Sequence, residues 1–86
     1  MLRITKMREN GTKVVLKLEG KISDQWAALL EGECLSLLRH DKQVQLDFSG
    51  VSFVDQGGLE VVHNLSDRVR IVNAPGFIME LLRTGG

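Results

Sequence analysis

Residues 43–58 read Gln-Val-Gln-Leu-Asp-Phe-Ser-Gly-Val-Ser-Phe-Val-Asp-Gln-Gly-Gly. The first six alternate polar and apolar side chains, which indicates a β-strand with one buried face and one face in water. Residues 13–19 and 68–72 show the same alternation. Strands of a sheet that is covered on both faces are usually continuously apolar, so these strands predict a sheet covered by helices on one face only.

Turn signals and helical spacing on either side of this stretch give the remaining elements. Asn10-Gly11 predicts a hairpin between strands over residues 2–8 and 13–19, because both turn residues tolerate positive φ. From Ser23 to Arg39 apolar residues recur at three- and four-residue steps, which predicts a helix that the side chain of Ser23 or Asp24 caps. Its expected buried stripe consists of Trp26, Leu29, Leu30, Cys34, Leu37 and Leu38.

Two further helices complete the prediction. One runs from Gln56 to about Ser66, and the last begins near Pro75, where the missing N–H of proline costs nothing. Their expected inward residues are Leu59, Val62, Leu65, Phe77, Ile78, Leu81 and Leu82. The order β-β-α-β-α-β-α implies parallel pairing with right-handed crossovers. If all helices lie on one face, the strands advance in a single direction and leave no switch-point crevice for a nucleotide.

The predicted fold is therefore a one-sided α/β superhelix. An N-terminal antiparallel hairpin leads into a parallel sheet with three helices on one face. The chain has 86 residues, which is room for one domain over residues 1–86.

Charge and hydropathy narrow the classes of function. Eleven basic residues balance eleven acidic ones, whereas a nucleic-acid-binding domain normally has a basic excess. No apolar run is long enough for membrane insertion, so we expect a soluble, cytoplasmic domain. Residues 1–21 carry six basic and two acidic side chains, which fits either a solvated edge hairpin or a charged docking face. A homodimer through this hairpin and the polar sheet face is a further possibility.

The residues that often carry chemistry are few. Cys34 lies on the apolar stripe of the first helix and is expected to be a buried, inert thiol. His40 follows that helix, His63 is expected at a boundary, and Trp26 is expected to anchor the core. One cysteine and two histidines are too few for a zinc site, and Gly57-Gly58 lacks the Lys-Ser/Thr of a phosphate-binding loop. We therefore expect no catalytic residues, no metal and no cofactor.

Four stretches carry a family resemblance: Gly-Lys-Ile-Ser at 20–23, Leu-Asp-Phe-Ser-Gly-Val-Ser-Phe-Val-Asp at 46–55, Gly58-Leu59, and Val72-Asn73 followed by an apolar helix closing on Gly85. Together they resemble the STAS domain of bacterial anti-sigma factor antagonists, from about Lys13 to Gly85. The resemblance implies the same one-sided fold. It also implies a non-catalytic protein that docks onto an anti-sigma factor, which is often itself a serine kinase.

The resemblance assigns partner binding to the turn after the third strand, the helix that follows it, and the loop over residues 20–24. The expected partner-binding residues are Ser23, Asp24, Asp55, Gln56, Gly57, Gly58 and Glu60. Asp55 is also expected to cap the second helix. Each glycine inside a helix costs about 1 kcal/mol relative to alanine, so the pair at 57–58 indicates a close backbone approach or an irregular turn. The alternative is that Asp55 is only a cap and the glycines only a packing point.

The chain departs from the family pattern at two positions. In phosphorylatable members the motif at this place resembles Asp-Ser-Ser-Gly, and the serine before the last glycine takes the phosphate. This chain has Gly57 at the position of that serine. A phosphate adds a charge of about −1.5 to −2, and Gly57 removes that switch. Ser52 and Ser49 are nearby substitutes, although they are expected to bond the local backbone. Members often carry an acid where Ser23 stands, and the nearest acid here is Asp24.

A second resemblance suggests a different partner. Asp55-Gln56-Gly57-Gly58 is similar to the Asp-x-Gly-Gly of STAS subunits in ABC-type lipid transport systems, which commonly have threonine where Gln56 stands. The partner would then be a transporter ATPase, in place of an anti-sigma factor or serine kinase.

Overall fold

The computed structural model describes residues 1–84 and contains seven elements in the predicted order. The strands are β1 (Leu2–Glu9), β2 (Lys13–Ile22), β3 (Gln43–Val54) and β4 (Arg70–Val72). The helices are α1 (Gln25–Arg39), α2 (Gln56–Ser66) and α3 (Gly76–Thr84). Gly85, at which the last helix was predicted to close, lies outside the described residues.

The four strands form one sheet in the order β1-β2-β3-β4, the order in which they occur in the chain. β1 is antiparallel to β2, and the other two pairs are parallel. The predicted advance in a single direction is confirmed. The hairpin is also confirmed: Asn10 N–H donates to the Lys13 carbonyl at 3.0 Å, and the Asn10 side-chain oxygen accepts the N–H groups of Thr12 and Lys13, both at 2.8 Å.

The core lies between the helices and one face of the sheet. Alternate residues of the two central strands are buried, while the residues between them are half-buried or exposed. The buried positions on β2 and β3 are Val14, Leu16, Leu18, Val44, Leu46 and Phe48. From the helices the core receives Ala27, Leu30, Cys34, Val62, Leu65 and Ile78. Each large apolar side chain removed from water contributes about 1.5–3 kcal/mol, so these side chains hold the helices on this face.

The central strands are longer than the polarity pattern indicates. β2 continues to Ile22 and β3 to Val54, and their pairing contains register shifts between Lys17 and Glu19 and between Gly20 and Lys21. Such irregularities interrupt the alternation of polar and apolar residues although the strands stay paired. The alternation over residues 43–48 therefore stops before β3 itself ends. β4 is shorter than predicted, because Val69 N–H donates to the Leu65 carbonyl at 2.9 Å and stays in the turn after α2.

Asp24, one of the two predicted caps of α1, occupies the N-cap position, but the predicted side-chain cap does not form. The helix begins at Gln25, and Asp24 occupies the N-cap position with φ of 52° and no side-chain cap bond. Trp26 N–H instead donates to the Ser23 carbonyl at 2.9 Å. The positive φ of Asp24 departs from the extended backbone that a capping residue usually has, and its side chain makes no bond to the first turn.

Two large side chains predicted in the core are exposed. Leu29 is 44% and Phe77 45% exposed, and Trp26 is half-buried against the core. The buried positions of α1 follow the three- and four-residue steps from Ala27, and Leu29 lies about 100° to the side of Leu30. Within residues 1–84, no helix is long and apolar enough to cross a bilayer.

Candidate functional site

Asp55 stands between the end of β3 and the start of α2 and caps the helix. Its backbone is extended, and its Oδ1 accepts the N–H of Gly58 at 2.7 Å. The carboxylate also lies at the positive end of the α2 dipole, which favours a negative charge there. The predicted cap is confirmed.

Asp55 also forms hydrogen bonds with the segment that precedes α1. Asp55 Oδ2 accepts the N–H of Asp24 at 3.2 Å, and Asp55 N–H donates to the Ile22 carbonyl at 3.2 Å. One side chain therefore connects the β2–α1 loop to the β3–α2 turn. The sequence gives no signal for this link because Asp24 and Asp55 are 31 residues apart.

The two glycines of the turn have different surroundings. Gly58 is buried, and a Cβ at this position would overlap the Ile22 carbonyl oxygen. Gly57 is exposed, and its Cβ position would meet only Asp55 Oδ1, at 3.7 Å. The close backbone approach expected for the pair occurs at Gly58 and involves Ile22, the last residue of β2. Gly57 is free of that constraint.

The turn, the loop and the outer face of α2 form one surface, here called the α2 surface. Its exposed members include four of the expected partner-binding residues, Asp24, Gln56, Gly57 and Glu60, while Ser23 and Asp55 are half-buried. A shallow depression of about 380 Å³ continues along the helix and is lined by Gln56, Leu59, Glu60, His63 and Asn64. Three carboxylates, those of Asp24, Asp55 and Glu60, give the surface an acidic character. Gly58 is buried under this surface, where it packs against Ile22.

Two features of this region were not predicted from the sequence. Phe53, two residues before Asp55, is 47% exposed at the end of β3 and pairs in register with Lys21. The Nε2 atom of His63 is buried and, among the described residues, has no hydrogen-bond partner. Residue type alone favours a buried phenylalanine, so only the register shifts near the end of β3 explain its exposure.

The two serines near the turn are exposed but engaged. The Ser52 hydroxyl donates to the Gly20 carbonyl at 3.2 Å, so its partner lies on the neighbouring strand and not in the local backbone as expected. Ser49 N–H donates to Asp47 Oδ1 at 2.9 Å. This bond, with help from the Ser49 hydroxyl, lowers the pKa of Asp47 below its usual value.

Cys34 is a buried thiol, as expected. Cys34 is buried, and desolvation raises the pKa of its thiol to about 12, so almost no thiolate exists near neutral pH. His40 stands at the C-cap of α1, with its Nδ1 at 2.8 Å from the Ser36 carbonyl oxygen. Over residues 1–84, no group of three or more His, Cys, Asp or Glu side chains has the geometry to hold a metal ion.

Comparison with known proteins gives two kinds of match. The family model described as "Mlab, STAS domain" matches residues 5–86. No curated protein matches the chain. A solved structure of the anti-sigma factor antagonist SpoIIAA in its unphosphorylated form is similar with a TM-score of 0.76 and 12% identity, over 94% of this chain and 82% of that one. A crystal structure of Mglu is similar with a TM-score of 0.66 and 25% identity, over 86% of this chain and 20% of that one.

Proposed function

This chain belongs to the STAS domain family, and on that premise we propose that it is a non-catalytic regulatory domain of the anti-sigma factor antagonist type. It acts in the cytoplasm by docking a protein partner, an anti-sigma factor or serine kinase with an ATPase fold. The single observation that carries the proposal is the double attachment of Asp55, whose carboxylate holds the N–H groups of Gly58 and Asp24 at 2.7 and 3.2 Å. Because of it, two separate loops present one continuous exposed surface.

The chemistry of the α2 surface suits recognition of another protein. Asp24, Asp55 and Glu60 supply negative charge, and the depression along α2 offers a place for a long side chain. Exposed Phe53 supplies an aromatic contact at the margin of the turn. Aromatic anchors surrounded by polar groups are typical of the residues that dominate binding energy at protein interfaces. We expect the partner to present a cationic side chain here.

The proposed domain has no phosphorylation switch at the usual serine position. Gly57 occupies the position at which phosphorylatable relatives have a serine, and glycine has no hydroxyl. The partner therefore binds without a phosphate switch at this position, and the domain acts as a constitutive antagonist or as a scaffold.

The docking surface is tested by changing Gly57. Gly57→Glu adds charge and bulk to the exposed turn, and we expect it to weaken binding to the candidate anti-sigma factor about tenfold or more by calorimetry. Gly57→Ala is the matched control, because its methyl group meets no atom closer than 3.7 Å. Equal affinity of the native chain and the Glu variant would show that the partner binds elsewhere.

The absence of the switch has its own test. The chain is mixed with the candidate kinase and ATP, and its intact mass is measured. We expect no phosphate on the native chain and one on Gly57→Ser, which restores the hydroxyl at an open position. A stoichiometric phosphate on native Ser49 or Ser52 would overturn the claim.

The sequence Asp55-Gln56-Gly57-Gly58 favours a second candidate, an accessory subunit of an ABC-type lipid transport system. Both candidates use the α2 surface and differ in the partner. Purification of the tagged chain from its native cell distinguishes them. A transporter ATPase in the eluate supports the second candidate, and a histidine-kinase-like ATPase or a sigma regulator supports the first.

The homodimer through the basic hairpin and the polar sheet face stays a prediction. Ion pairs between copies weaken when salt screens them. Light scattering at low and high salt tests it, and a mass that is monomeric at both concentrations would contradict it.

A further inference from the structure

The outer edge of β1 has unpaired backbone groups. Over the described residues, β1 pairs with β2 alone. Lys21 N–H donates to the Met1 carbonyl at 2.9 Å, and bonded and non-bonded positions alternate along an antiparallel pair. In the register that sets Leu2 opposite Gly20, the peptide groups of Leu2, Ile4 and Lys6 therefore point away from β2. An eight-residue strand thus presents donors and acceptors at an open edge.

An apolar groove runs beside this edge on the helix side of the sheet. Its volume is about 350 Å³, and it lies between β1 and α1. The lining residues are Leu2, Ile4, Lys6, Leu16, Leu29 and Glu33. Leu29 is 44% exposed here, at the place where the periodicity of α1 predicted burial. The free backbone edge and the apolar groove are adjacent, so one extended segment could occupy both.

The charge of the strand indicates what kind of segment fits. Arg3 and Arg8 lie opposite Glu19 and Val15 and are exposed on the sheet face away from the helices, and Lys6 is exposed beside the groove. A second copy of β1 at this edge would bring like charges together, which is how lysines normally discourage edge-to-edge pairing. An acidic segment at this edge would be attracted to the basic side chains of β1, whereas a second copy of β1 would be repelled by them.

We propose that the β1 edge of this domain binds an extended acidic segment of a partner protein by β-strand addition. The segment pairs with the backbone of Leu2, Ile4 and Lys6. Its apolar side chains enter the groove beside Leu29, and its carboxylates on the opposite face meet Arg3 and Arg8. Main-chain bonds with pockets for alternate side chains are a recurrent mode of peptide recognition.

The irregular pairing of β1 sets the length of the bound segment. The register with β2 shifts between Lys6 and Arg8, and a bulge bends the strand at that point. Regular addition is therefore confined to residues 2–6. This surface involves β1 and the Leu29 side of α1, whereas the α2 surface involves Asp55 and α2, so the domain has two separate docking surfaces.

The proposal is tested with three fluorescent peptides and the full chain. The first is a nine-residue peptide of alternating glutamate and leucine with blocked ends. The second replaces each glutamate by lysine, and the third places proline at the centre, where it removes a backbone donor and blocks strand pairing. We expect binding of the first peptide, which weakens at least about tenfold between about 50 and 300 mM salt. The other two should bind at least about tenfold more weakly.

Variants of the chain locate the binding. Leu29→Glu places a charge in the groove and Arg3→Glu reverses a charge on β1, and both should weaken binding of the acidic peptide at least about tenfold. Arg39→Glu, in the last turn of α1, changes the net charge by the same amount as Arg3→Glu and should leave the affinity unchanged. Leu29 and Arg39 are both exposed, so the helical circular dichroism of these variants should match that of the native chain.

Three results would overturn the proposal. Equal binding of the three peptides would mean non-specific adsorption, and equal loss in Arg3→Glu and Arg39→Glu would mean an effect of net charge alone. A concentration-dependent dimer that Leu29→Glu abolishes would show that a second copy of the chain occupies the edge.

Discussion

Gly57 and Gly58 are adjacent in the chain, but the structure constrains them differently. A side chain on Gly58 would collide with the Ile22 carbonyl, whereas a methyl group on Gly57 has space. We expect Gly57→Ala to raise the free energy of unfolding by up to about 1 kcal/mol, because alanine favours the helix more than glycine does. Gly58→Ala should lower it by about 2 kcal/mol or more, because the turn must shift.

Urea denaturation of the two variants and the native chain measures this difference. A loss of stability in Gly57→Ala equal to that in Gly58→Ala would contradict the separate roles. The double variant should show the sum of the two effects only if the turn keeps its shape.

Asp47 makes the stability of the domain depend on acid pH. The Ser49 N–H lowers the pKa of this carboxyl in the folded chain, and a lowered pKa stabilises the fold above the unfolded-state pKa. That contribution is lost as the pH falls through the folded-state pKa. Between about pH 5 and about pH 3 the native chain should therefore lose more stability than Asp47→Asn does. The difference should stay below about 1 kcal/mol because water screens the half-exposed carboxylate.

Thermal unfolding of the native chain and Asp47→Asn at matched pH values measures this effect. Parallel pH curves for the two proteins would contradict it.

At the residue scale, local roles were predictable and distant links were not. The cap by Asp55 follows from its place between a strand and a helix, and the structure confirms it at 2.7 Å. The bond from Asp24 N–H to Asp55 joins residues that only the parallel pairing of β2 and β3 brings together. The buried contact of Gly58 has the same tertiary origin.

Among the elements, α2 was predicted with correct ends because its cap directly precedes it and its spacing and last buried residue lie within the helix. The side-chain cap of α1 was wrongly predicted: Asp24 has φ of 52°, and its N–H donates to Asp55, outside the helix. The length of β3 was underestimated because its pairing with β2 shifts near Gly50 and interrupts the alternation. The two strands are close there: a Cβ added to Gly50 would lie 2.9 Å from the Leu18 carbonyl oxygen.

α2 contains a polar atom whose removal should stabilise the domain. The Nε2 atom of His63 is buried and has no hydrogen-bond partner within residues 1–84, and such a group has lost its bonds to water without compensation. His63→Leu removes this penalty and also improves helix propensity. We expect the free energy of unfolding to rise by about 1 kcal/mol.

Urea denaturation with His63→Gln as the control measures this change, since glutamine keeps a polar end. A gain in both variants alike would indicate propensity alone. A loss of stability in His63→Leu would contradict the prediction.

For the whole molecule, one-sided polarity determined the topology. Alternating strands and three amphipathic helices allow only one direction of advance, and the sheet order β1-β2-β3-β4 agrees. The lengths of the two edge strands were not predictable, because they depend on where the turns end: β4 spans three residues and β1 spans eight.

This arrangement predicts how protection against hydrogen exchange is distributed. β2 and β3 lie in the centre of the sheet and carry half of the buried apolar side chains, whereas β4 has three residues and Ile78 is the one fully buried side chain among residues 76–83 of α3. Amides of Leu16 and Leu46 should exchange only through global unfolding, and those of α3 by local opening at a lower free energy. Native-state exchange followed by NMR measures both, and equal protection of α3 and β3 would contradict the expectation.

The double attachment of Asp55 also affects the thermodynamics of association. A flexible loop loses conformational entropy when it is immobilised on a partner, and that loss subtracts from affinity. Here the two segments are already immobilised when the chain folds. Complex formation should therefore carry the heat-capacity change of rigid surfaces that exclude water, without the larger change of a segment that folds as it binds.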